Sequence, residues 1–123
     1  MTAAKRQPLV AFIYSVPLLH EALLSTLDSI ADVRSFPAGR GDVTGLLRSV
    51  EPDAIVVDDA DEANEARGWA RRHQRPLLHI SLREQKVRVL RNGSWEESPG
   101  AAAETVRNVL AGSLYGRGDH ERH

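Results

Sequence analysis

The sequence predicts an α/β domain built on a doubly wound, mostly parallel sheet. Three observations carry that expectation. Leu9–Tyr14 and Ala54–Val57 are continuous apolar runs, each preceded within two residues by a proline, and such runs are the signature of strands covered on both faces. Apolar residues between and after these runs recur at helical spacing, so strand and helix patterns alternate as far as Ser81. That alternation predicts right-handed βαβ units with helices on both faces. Beyond Ser81 the pattern changes to two short strand-like runs around Asn92-Gly93, a pair that supplies the two positive-φ positions of a type I′ hairpin turn.

The bulk composition bounds the rest. A chain of 123 residues with 41% apolar content is one domain with one real core. It is expected over residues 8–114, with 1–7 and 115–123 as flexible tails. Sixteen Lys and Arg against 17 Asp and Glu give a net charge of -1, so no global field draws the protein to nucleic acid or to an anionic membrane. The absence of cysteine removes disulfide, thiolate and cysteine-metal chemistry and fits a cytoplasmic setting. The run Leu9–Tyr14 is too short for a signal-peptide core or a membrane span.

In chain order, Leu9–Tyr14 is the first strand. Ser15 or Val16 then stands near a helix N-cap, with Pro17 in the first turn, where its missing N–H costs nothing. Leu19, Leu23, Leu27 and Ile30 form the apolar stripe of that helix, widened by Leu18, Ala22 and Leu24. Residues 32–36 alternate like an edge strand, and Pro37 to Gly41 is a loop. Asp42 caps a helix through Val50 whose buried face is Val43, Leu46, Leu47 and Val50. The central strand, Pro52 to Asp59, is followed by a polar helix, residues 61–73, with only Ala63, Ala66, Trp69 and Ala70 to bury. Pro76 to Ser81 is the fourth strand. Five residues join it to the hairpin, too few for a helix, and a last helix runs from Ala101 to about Leu114.

The central strand ends on Asp58 and Asp59, where open α/β sheets place their ligands. Strand alternation lets only one of the pair face inward. Asp58 reads either as a reactive carboxylate or as a cap for nearby orphan N–H groups. Ser81 reads as a second pocket hydroxyl or as a loop hydroxyl bonded to backbone. His79 falls inside an apolar strand, and His79, Asp58 and Ser81 lack any nucleophile-elbow motif to make them a hydrolytic set. The basic cluster Arg67, Arg71, Arg72, His73 and Arg75 is interleaved with acids and reads as a solvated helix face.

Four stretches resemble the receiver domain of bacterial two-component response regulators, a flavodoxin-like fold. Ile13 to Leu23, containing Pro17-Leu18-Leu19-His20-Glu21-Ala22-Leu23, is similar to the first strand and helix of receivers. Pro52 to Asp58 is similar to their third strand, which puts Asp58 at the phosphoacceptor position. Pro76 to Ser81 resembles the fourth strand, with Ser81 at the hydroxyl that senses the phosphoryl group, and Ala103 to Leu114 resembles the final helix. The family's acidic pair at the end of the first strand, which holds Mg²⁺, reads Tyr14 and Ser15 here. Its Lys-Pro after the fifth strand has no counterpart, Arg91 being the nearest charge, and a C-terminal β-hairpin stands in place of the fourth helix.

The resemblance, with these departures, implies an atypical signalling module that acts through protein–protein contact without Mg²⁺-dependent aspartyl phosphorylation. It is expected to be non-enzymatic and to need no cofactor or metal. Asp58 is its phosphoacceptor-equivalent residue, expected to be inactive, and its pocket-equivalent residues are Tyr14, Ser15, Asp59 and Ser81. Its expected contacts are Leu24 on the first helix, Trp95 on the hairpin, and Val106 and Leu110 on the last helix, facing a kinase, an effector, a regulator or a second copy as a homodimer. With no room for an effector domain after the last helix, direct nucleic-acid contact is not expected, nor is membrane contact. Two alternatives remain: a phosphoacceptor using Asp58 in a rebuilt pocket, and a small-ligand-binding or enzymatic protein using the C-terminal edge of the sheet.

Overall fold

The computed structural model describes residues 7–39, 41–100 and 103–116. The elements follow in the order β1 (Leu9–Tyr14), α1 (Pro17–Leu27), β2 (Asp32–Pro37), α2 (Val43–Val50), β3 (Ala54–Val57), α3 (Ala60–His73), β4 (Leu77–Ser81), β5 (Lys86–Arg91), β6 (Ser94–Pro99) and α4 (Ala103–Ala111). A π-helical turn, Gly112–Gly116, closes the described chain. The predicted flexible segment 1–7 falls outside these residues except for Gln7, as does 117–123. Tyr115, expected to be tail, instead lies in the π-helical turn and donates its hydroxyl to the Ile30 carbonyl at 2.6 Å.

The sheet has six strands in the order β2-β1-β3-β4-β5-β6. β2, β1, β3 and β4 run parallel, while β5 and β6 are antiparallel to their neighbours. The order reverses direction at β1, so right-handed crossovers send α1 to one face and α2 and α3 to the other. α1 and α4 cover one face: Leu23, Leu27, Val106 and Leu110 pack on Val10, Phe12, Val56, Leu78 and Val89. On the opposite face Leu47 from α2 and Ala66, Trp69 and Ala70 from α3 pack on Ala11, Ile13, Ile55, Val57 and Leu77. All four residues of β3 are fully buried, which is why their sequence shows no alternation. α3 buries Ala63, Ala66, Trp69 and Ala70, the apolar residues its sequence offers, together with Glu62.

Local chemistry sets the ends of these elements. Asp42 accepts the Gly45 N–H at 2.9 Å and starts α2. Asn92 and Gly93 have φ of 53° and 80°, the positive pair that the hairpin turn requires. Asp53 clasps the start of β3 to β1: its carboxylate accepts the Leu9 N–H at 2.8 Å, while its own N–H donates to the Leu9 carbonyl at 2.7 Å. Among the described residues no helix is long and apolar enough to cross a membrane.

Three expectations are corrected. α1 ends at Leu27, and Ile30 follows it in a turn. Leu18 does not widen the buried stripe but stands 80% exposed. Val106 and Leu110, expected on an interaction surface, are fully buried, because α4 returns beside α1 and folds its one apolar face onto the sheet.

Candidate functional site

The strand order places a topological switch point between β1 and β3, and Asp58 follows β3 on that edge. The loop entering α1 has no cap of its own, since its N-cap residue is Val16 and an isopropyl group accepts no hydrogen bond. Asp58 fills that need from across the sheet. Its Oδ1 accepts the Ser15 N–H at 2.7 Å and the Ser15 hydroxyl at 2.9 Å, and its Oδ2 accepts the Val16 N–H at 3.1 Å. A carboxylate at a helix entrance also meets the positive end of the backbone dipoles. Both oxygens are thus engaged by the chain itself.

The neighbouring residues each have a different task. Asp59 is the N-cap of α3 and accepts the Glu62 N–H at 3.1 Å. Ser81 accepts the Glu84 N–H at 3.1 Å and closes the turn between β4 and β5. Tyr14 stacks on His20, with ring centroids 4.0 Å apart and planes 6° from parallel, and His20 Nε2 lies 2.7 Å from the Ser35 hydroxyl. Of Asp58 and the four pocket-equivalent residues, the fold therefore joins only Ser15 and Asp58 by hydrogen bonds. Among the described residues none links His79 to Asp58 or Ser81.

Antiparallel β5 changes where the basic groups lie. Arg91, at the end of β5, falls at the edge opposite Asp58, and Lys86, at its start, pairs with Ser81 on the Asp58 edge. The Lys86 ammonium is nonetheless engaged elsewhere, 3.2 Å from Glu97 and 3.6 Å from Glu84. Its place at the end of the fifth strand signalled Arg91; the antiparallel direction of that strand brings Lys86 to this edge instead.

His79 faces Arg88 across the β4–β5 ladder. Burial lowers its pKa below the ordinary 6.5, and the Arg88 guanidinium lowers it further against the opposing pull of Asp59, Glu84 and Asp58. On the hairpin, Arg88 lies over the Trp95 ring at 5.6 Å from its centroid, and Trp95 remains 39% exposed. Leu24 is half-buried.

Two other features of this edge escaped sequence reasoning. Glu62, 9% exposed, accepts the Gly39 N–H at 2.7 Å, and it lines a cavity between β2 and α2 that neither Ser15, Asp58 nor Ser81 lines. A Glu three residues after an N-cap Asp was the available signal, although a capping box would send its side chain back to Asp59. Among the described residues no group of three or more His, Asp or Glu side chains is arranged to hold a metal ion. Comparison of the chain with protein-family models, with curated proteins and with solved structures finds no match.

Proposed function

We propose that the chain is a receiver-like regulatory module of the cytoplasm that works by contact with a protein partner or a second copy, and not by aspartyl phosphorylation. The observation that carries this reading is the capture of both Asp58 oxygens by Ser15 and Val16. A phosphoacceptor needs an oxygen free to approach phosphorus in line, with cations to neutralise the charge that develops on the transferred group. Here Asp58 serves the entry to α1, Tyr14 and Ser15 stand where a metal-binding acidic pair would be, and Lys86 is held by two glutamates. Mg²⁺ prefers carboxylates and water in octahedral array, and those two side chains are poor substitutes.

The order β2-β1-β3-β4-β5 supports a flavodoxin-like, receiver-like lineage. The reversed direction of β5 and the added β6 depart from it at the region where such domains carry a fourth helix. Among the described residues the exposed large apolar side chains are Leu18 at the start of α1, Leu82 after β4, Trp95 on the hairpin and Tyr115 in the last turn, and Leu18 and Trp95 are the two that we assign to contacts.

Incubation with acetyl phosphate and Mg²⁺, followed by intact-mass measurement, tests the reading. No phosphoryl adduct is expected. An adduct that disappears in Asp58→Ala overturns it in favour of a phosphoacceptor with a rebuilt pocket.

A further inference from the structure

We propose that the cavity where the C-terminal ends of α2 and α3 meet, at the foot of β3, binds a small organic carboxylate. It holds about 240 Å³ and is lined by Arg48, Glu51, Pro52, Trp69, His73 and Arg75. That is below the size of a drug-sized site and suits a single ring with one acid group. Pro52 precedes β3 and Asp58 follows it, so the cavity lies at the opposite edge of the sheet from Asp58. The basic cluster of α3 reads in the sequence as a solvated helix face; the fold brings Arg48 of α2 to it and sets His73 and Arg75 along a shared cavity.

The observation that points to a ligand is the Trp69 indole. Trp69 is 3% exposed, yet its Nε1 donor has no hydrogen-bond partner among the described residues, and a buried indole N–H usually finds one. The ring is held in place by His73, which stacks on it with centroids 4.2 Å apart and donates from Nδ1 to the Trp69 carbonyl at 3.0 Å. An acceptor oxygen in the cavity would satisfy the indole, and the Arg48 and Arg75 guanidiniums favour a carboxylate over a neutral acceptor. Backbone donors already cap both helix ends: the Glu51 N–H donates to the Leu47 carbonyl, and the Arg75 N–H to the Ala70 carbonyl. Arg75 lies 3.7 Å from Asp53, but both side chains are nearly half exposed, and such a pair is weak enough to yield. Glu51 and the negative ends of the two helix dipoles oppose an anion, so a single negative charge is accommodated better than the double charge of phosphate.

The indole region of a nitrogen–proton NMR correlation spectrum of the full chain tests the site. The chain has two tryptophans, so Trp95 on the hairpin serves as the reference, and Trp95→Phe assigns the two signals. Titration with benzoate at neutral pH and constant ionic strength is expected to move the Trp69 indole signal saturably, with a dissociation constant on the order of 1 mM for so small a probe. Benzamide, the neutral isostere, is expected to bind roughly tenfold more weakly, as is benzoate to Arg48→Gln, because each exchange removes a charge-assisted hydrogen bond. Inorganic phosphate is expected to bind more weakly than benzoate. Arg67→Gln, on α3 but outside the lining, is expected to leave benzoate binding unchanged; Arg48 and Arg67 are both exposed, so neither variant disturbs the core. No saturable shift of the Trp69 indole, a shift confined to Trp95, equal affinity for benzamide, tighter binding of phosphate, or an equal loss in Arg67→Gln would overturn the proposal. None of those results bears on Asp58, at the other edge of the sheet.

Discussion

The Asp58 carboxylate accepts both the backbone N–H and the hydroxyl of Ser15, at 2.7 and 2.9 Å. Residues 43 positions apart thus tie the end of β3 to the entrance of α1. Ser15→Ala removes the hydroxyl and leaves the two amide donors, so it should cost about 1 kcal/mol. In a double-mutant cycle with Asp58→Ala, denaturant unfolding should give a coupling energy near ~1 kcal/mol. Additive effects would mean that the hydroxyl contributes nothing to holding the carboxylate.

His79 makes stability depend on pH in a defined direction. Its folded pKa lies below the ordinary 6.5, chiefly because it is buried and also because Arg88 faces it. In the window between the folded value and 6.5 the unfolded chain binds more protons than the folded one, so stability rises with pH. The full contribution is present above 6.5 and is lost as the pH falls through the window. His79→Gln should flatten that part of a plot of urea midpoint against pH, and an unchanged slope would place the titrating group elsewhere.

Two leucines separate core from surface. Leu110→Ala should destabilise the protein by about 2–5 kcal/mol, as a large-to-small change in a packed core does, because Leu110 is fully buried against the sheet. Leu18→Ala, at a position 80% exposed, should change stability by less than about 0.5 kcal/mol. Denaturation curves for the pair measure both, and comparable losses would contradict the packing of α4 described above.

The contrast between these leucines also marks how far the sequence could be read. Continuous apolar runs located β1 and β3, helical periodicity located α1 and α2, and Asn92-Gly93 located the hairpin, because each signal is local. The stripe on α4 revealed that Val106 and Leu110 needed cover without revealing that the chain's own sheet supplies it. Leu18 and Leu19 adjoin in sequence, and only the angle at which α1 lies on the sheet decides which is exposed. The site was harder to read for the same reason. Asp58 could be placed at a strand end, but the partner of its carboxylate depends on β1 and β3 lying side by side. The position of Lys86 depends on β5 pairing with β4, and the four residues between Ser81 and Lys86, too few for a parallel crossover, then make β5 antiparallel.

The central claim is that Asp58 holds the fold and does not accept a phosphoryl group. Equilibrium urea denaturation of Asp58→Ala tests it most directly. Loss of three hydrogen bonds to a charged acceptor at a helix entrance, with the Ser15 and Val16 amides left to find water, predicts a stability lower by about 2 kcal/mol. A reactive carboxylate kept free for chemistry would give the opposite result, because the strain stored at such a site is relieved when the group is removed. Asp58→Ala as stable as the parent protein, or more stable, would contradict the account.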